Sequence, residues 1–472
     1  MSQDQDTLKY FNEKMKFMRF LDHARWCNHS FLNYELPNMA DKKAPSEQVL
    51  LTHFLGYITN RQTPFQTVFE QLDYIFSQMV HNFAKGESVD DLLNPCKDKS
   101  FFVQKEGKDT YTFVSHEAKS EDSSCPEITK GLMRKPGDRI YAVSRFYPND
   151  YIAIRCVMEI LDEGIHGHPF NRGLIDFIKW AIGDKPAENG LERLLYALWL
   201  LGYQGIGSWA ATKPDKEKHD GKTSKGYLSD FFGESESDSF NLFRELKNKK
   251  KEYLEDMGKN GLNDAFYKKN FARAEKSEDI KDNERFSAKR VICFVRDMFK
   301  LNSNAFSTYL KKELGEGDFK TLYDQIPDVL ELPGDIWNNN DTFQECLAEG
   351  MKTQDKPNIF VRKQYILCRE LYGDSGRDKV GCYPEQFDCT FNFVPRMCEV
   401  GERMNCEFCP IRAINKAQEE QVEPKFEIDE RFCHHHTQDK FCPFLLFAVG
   451  FKVKCKDMGD ECPNYRRVKA NT

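Results

Sequence analysis

The chain has 472 residues, 40% of them hydrophobic and 13% aromatic, with 68 basic against 75 acidic side chains and a formal charge of -7. That length predicts about two or three domains with a substantial core, and the composition excludes a stapled mini-protein and wholesale disorder. No run approaches the roughly 20 apolar residues of a membrane helix, and the start, MSQDQDTLKYFNEK, lacks the apolar stretch of a secretory signal, so a cytoplasmic protein without a membrane partner is expected.

The first region, 1–149, reads as helices followed by one β-hairpin. Apolar residues recur at three and four spacing through Leu8, Phe11, Met15 and Met18, then through Val49, Leu50, His53, Phe54 and Tyr57. Pro45 and Ser46 signal the start of the second run, and a further helix through Val68, Leu72, Ile75, Phe76 and Met79 follows Pro64. Between Phe101 and Val114 the period changes to two, with FFVQK and TYTFV flanking Glu106-Gly107-Lys108-Asp109, the pattern of a hairpin.

The second region, 150–318, returns to helical patterning in IAIRCVMEILDE, LIDFIKWAIG and the strongly apolar LERLLYALWLLG. TKPDKEKHDGKTSKG, at 212–226, is too polar to pack and reads as an exposed excursion. Charged helices follow. Basic residues gather at Lys247, Lys249, Lys250 and Lys251, then at Lys268, Lys269 and Arg273, then at Lys289, Arg290 and Arg296, with Phe266, Tyr267 and Phe271 interleaved. Such a pattern can meet phosphate with its cations and stack bases on its rings. Acidic neighbours such as Glu252, Glu255 and Asp256 offer the competing reading of a solvated helix face.

The third region, 319–472, is rich in cysteine. Nine of the 16 cysteines lie between Cys382 and Cys462, against seven in the first 381 residues. Without an export signal, such clustering reads as metal binding rather than as a disulfide framework. The sharpest unit is Cys398-x7-Cys406-x2-Cys409-Pro410: two thiolates two residues apart can turn toward one centre, and the intervening amides can donate to sulfur. Cys433, Cys442, Cys455 and Cys462 are the remaining candidate ligands, sharing that centre or building a second. All-cysteine ligation suits a four-iron four-sulfur cluster or zinc, whereas His434, His435 and His436 beside Cys433 lean toward zinc.

The loop from Cys398 to Pro410, with Leu332-Pro333-Gly334 upstream and Asp355 21 residues after Gly334, resembles the helix-hairpin-helix DNA glycosylases that carry a cysteine metal-cluster loop. The resemblance implies that amides at Gly334 meet a DNA phosphate, that Asp355 is the acidic group at the sugar, and that the metal loop braces a basic DNA-facing surface; Lys268, Lys269, Arg273, Lys289 and Arg290, from the basic clusters above, are the candidate cations for nucleic acid. It further implies a base-excising or base-modifying enzyme. Two features depart from the family pattern: Asp335 follows Gly334 in place of a second glycine, and IRAINKAQ follows Pro410 where a fourth cysteine is expected. Gly205-Ile206-Gly207-Ser208-Trp209 fits the glycine pattern better but lies far from the cysteines.

The fold class expected is therefore mainly α: a multi-helix core with one small β-hairpin and a carboxyl-terminal cysteine-rich metal-binding region. The expected function is a metal-cluster protein that binds nucleic acid, DNA foremost. The alternative is a non-enzymatic zinc-stabilised module for protein partners. His166-Gly167-His168, beside Asp162 and Glu163, is readable as a metal or proton site and equally as a turn between helices.

Overall fold

The computed structural model describes residues 36, 39, 43–59, 72–94, 100–104, 111–113, 148–202, 236–263, 265–272, 288–299 and 305–330. Within them the fold is mainly helical, and no helix is long and apolar enough to cross a membrane. The elements are α1 (Ser46–Thr59), a π-helical turn (Leu72–Phe76) running into α2 (Ser77–Ala84), α3 (Val89–Leu93), strands β1 (Phe102–Gln104) and β2 (Tyr111–Phe113), α4 (Pro148–Glu163), α5 (Leu174–Ile182) and α6 (Pro186–Gly202). There follow α7 (Glu236–Asn260), α8 (Ala265–Asn270), α9 (Lys289–Met298), α10 (Ala305–Leu314), α11 (Glu316–Asp324) and α12 (Ile326–Val329). β1 and β2 pair antiparallel with Phe102 opposite Phe113, and residues 105–110 between them lie outside the described residues.

The centre of the fold is α6. From Gly190 to Gly202 every residue but Glu192 and Arg193 is buried, the signature of a helix apolar on all sides and therefore surrounded. Its neighbours are α4, α5, α7, α9, α11 and α12. The glycines at close crossings have a physical cause. A Cβ on Gly202 would lie 2.6 Å from Ile58 Cγ2, and one on Gly56 would collide with Leu72 at the start of the π-helical turn. At both places only a residue without a side chain lets the helices approach this closely.

Local breaks in the helices are stitched by side chains distant in sequence. Asn189 leaves helical geometry at φ -161°, interrupting α6 just after its start. The freed backbone groups need partners. Gln325, between α11 and α12, supplies them: its Oε1 accepts from Leu191 N at 2.9 Å, and its Nε2 donates to Pro186 O at 2.5 Å. The amino end of α5 begins at Gly173, which has no side chain to cap it. Glu47 of α1 reaches across instead, accepting from Ile175 N at 3.0 Å, while Tyr309 of α10 donates to its other oxygen at 3.0 Å. Burial pushes the Glu47 carboxyl above its ordinary value, against the lowering effect of those hydrogen bonds.

The positions 149/150 and 318/319, where the sequence suggested boundaries between regions, both fall inside helices, α4 and α11. Leu50, Ile154, Leu194, Leu254, Phe294, Phe319 and Leu330 belong to one cluster of buried residues. The described stretches of all three regions thus share a single core.

Candidate functional site

The cationic run of α7 is the natural place to look for a nucleic-acid surface, and its geometry commits Lys247, Lys250 and Lys251 to partners on other helices. Lys247, with only 13% of its side chain exposed, bonds Glu159 Oε2 at 2.8 Å and Glu163 Oε1 at 2.5 Å on α4. Lys251, one turn on, bonds Glu163 Oε2 at 3.1 Å, and Lys249 pairs with Glu252 at 2.5 Å. Burial works against the Lys247 ammonium, but its two carboxylate partners outweigh that and hold its pKa above the usual lysine value. Glu163 mirrors it: burial pushes its carboxyl up, and the Lys247 and Lys251 hydrogen bonds prevail and lower it. The acidic neighbours within α7 noted in the sequence account for only part of this pairing, since Glu159 and Glu163 come from a different helix.

Lys250 turns the other way, into the core. It is 2% exposed and donates to Leu201 O at 3.1 Å, at the carboxyl end of α6, where a cation is favoured by the helix dipole. Burial lowers its pKa, offset in part by Cys156 of α4, whose thiol burial raises.

Two of the three aromatic residues read for that surface are packed into the core. Phe271 is fully buried and Tyr267 is 9% exposed, both packed against Tyr196, with ring centroids at 5.3 and 5.0 Å. The Tyr267 hydroxyl donates to Glu192 Oε1 at 2.6 Å. Phe266 stacks on Tyr253 at 3.9 Å. These rings fasten α8 to α6 and α7, so the base-stacking role read for Tyr267 and Phe271 is corrected to a packing role.

Among the named basic residues, Lys268 stands exposed on α8. Arg290 of α9 donates to Ile58 O at 2.6 Å, covering a carbonyl at the end of α1. Lys269 and Lys289 lie on α8 and α9. Arg273, Gly334, Asp355, Cys398, Cys406, Cys409, Cys433, Cys442, Cys455 and Cys462 lie outside the described residues, as do His434 to His436 and Gly205 to Trp209. Among the described residues, no group of three or more His, Cys, Asp or Glu side chains is placed to hold a metal ion.

His166 and His168 sit in the connector between α4 and α5. It is a tight loop, with left-handed backbone at Gly164, His166, Gly167, Asn171 and Arg172. Gly164 is required there, because a Cβ would strike His168 O. Ile165 and His168 exchange backbone hydrogen bonds, at 3.1 and 2.8 Å. His166 Nε2 lies 2.8 Å from Glu255 Oε2 and 2.7 Å from Lys259 Nζ, joining the connector to α7. Arg172 bonds Asp162 at 2.7 Å and the carbonyls of Phe83 and Glu87 at 2.7 and 2.9 Å, with its guanidinium over the Phe83 ring. The arrangement is that of a turn fixed by its neighbours on three sides.

Two buried polar arrangements use residues that the sequence pattern placed only as part of a helix or a basic cluster, or did not single out. Tyr57 donates to Asp297 Oδ2 at 2.5 Å, and Asp297 also receives Arg296 Nε at 2.8 Å, forming a buried link between α1 and α9. His53 is fully buried, edge-on to Phe306 at 5.3 Å, and neither ring nitrogen has a hydrogen-bond partner among the described residues. Burial drops its pKa to about 3, so the ring is neutral at physiological pH.

No known protein family model matches this chain, and no curated protein or solved structure matches it.

Proposed function

We propose that this chain is a metal-centre protein that binds nucleic acid, with a helical body and a carboxyl-terminal thiolate centre. The observation that carries the reading is the spacing Cys398-x7-Cys406-x2-Cys409-Pro410 within a stretch holding nine of the 16 cysteines. Cys398, Cys406 and Cys409 supply three thiolates, and Cys433, Cys442, Cys455 or Cys462 completes the set. A closed four-ligand centre of either kind, a four-iron four-sulfur cluster or zinc, is structural: it leaves no open position for chemistry and braces the loops around it. Base excision through Asp355 is the activity that the glycosylase resemblance adds, with the carboxylate stabilising an oxocarbenium-like sugar.

A second reading, a zinc-stabilised module for a protein partner without catalysis, draws support from the body itself. Lys247, Lys250, Lys251 and Arg290 are committed to internal partners, and Tyr267 and Phe271 to the core. Elemental analysis of protein purified without oxygen identifies the metal, and salt-dependent nucleic-acid binding separates the two readings. Iron with sulfide and broad visible absorption supports the first reading, while stoichiometric zinc in a colourless protein, given by a filled d shell without visible transitions, is compatible with either and supports the second where nucleic-acid binding is absent. Absence of both metals overturns the metal centre. Binding to DNA or RNA that is missing at low salt, or that does not weaken as salt is added, overturns the nucleic-acid assignment.

A further inference from the structure

We draw no further inference here: the strongest candidate, the strained α4–α5 connector with His166 beside Glu255 and Lys259, carries none because hydrogen bonds and ion pairs within the fold account for its geometry, and nothing among the described residues points to a ligand there.

Discussion

Gln325 accepts a 2.9 Å hydrogen bond from the backbone of Leu191, 134 residues earlier, and so closes the break in α6, a helix buried almost throughout from Gly190 to Gly202. Replacing Gln325 with Ala strips the partner from Leu191 N and from Pro186 O together. The expected loss is about 1–3 kcal/mol, the cost of leaving such a group unsatisfied. Gln325→Glu keeps an acceptor but cannot donate to Pro186 O, and is expected to be destabilised as well. Urea unfolding checks this, and wild-type midpoints in both variants would remove Gln325 from its bridging role.

His53 predicts an acid-sensitive component of stability. Its pKa is about 3 when folded, against the ordinary histidine value of 6.5, so between those limits the unfolded chain binds the extra proton. The contribution is complete above about pH 6.5 and declines as the pH falls toward 3. A His53→Phe variant lacks this group, and its urea midpoint should depend less steeply on pH across that window. Equal slopes for variant and wild type would contradict the neutral buried ring.

Glu47 has the opposite sign. A folded pKa raised above 4.5 means that its contribution is present below that value and is lost as pH rises through the folded one. Glu47→Gln keeps an acceptor for Ile175 N without a buried charge. It should therefore be at least as stable as wild type at neutral pH, whereas Glu47→Ala should lose about 0.5–2 kcal/mol with the cap. Thermal melts of both variants test the distinction; a Gln variant as damaged as the Ala variant would show that the charge itself is needed.

The lysines divide by partner. Lys247→Met removes charge-assisted bonds to Glu159 and Glu163 and should cost about 1.5–3 kcal/mol of stability. If the body contacts nucleic acid, Lys268→Glu should weaken binding and flatten its salt dependence, while Lys247→Met should leave the affinity of the folded protein nearly unchanged. Fluorescence anisotropy at several salt concentrations measures both, and the reverse ranking would place the contact surface on α7.

Cys406→Ser should release metal from the purified protein and lower its melting temperature. Metal content and melting equal to wild type would exclude Cys406 from the ligand set. Asp355→Asn should abolish base excision without altering the melt, if that activity is present in the wild type, and full activity in the variant would discard the proposed role.

The helices of the described core were readable because their apolar residues repeat at helical spacing, most clearly in LERLLYALWLLG, where apolarity on every side already marks a surrounded helix. What pattern alone could not convey was partnership. Lys247 looks solvent-bound in sequence because Glu159 and Glu163 stand more than 80 residues away. Tyr267 and Phe271 misled for a related reason: cations alternating with rings describe a base-stacking surface and a half-buried helix equally well. Gln325 and Glu47 gave no signal, since each answers a defect in a helix it does not belong to. His53 entered the reading only as one member of the apolar face of α1, which is where it lies. The cysteine centre rests on spacing alone, as its residues fall outside those described.

The shared core has a consequence for dissection of the chain. Leu330 is as inaccessible as Leu50, and Phe319 sits in the same cluster as Leu194, so a fragment cut at 150 or 318 would bare apolar faces on both pieces. Limited proteolysis should accordingly spare the helices as a cooperative block, and calorimetry of that block should register one melting event rather than a staircase.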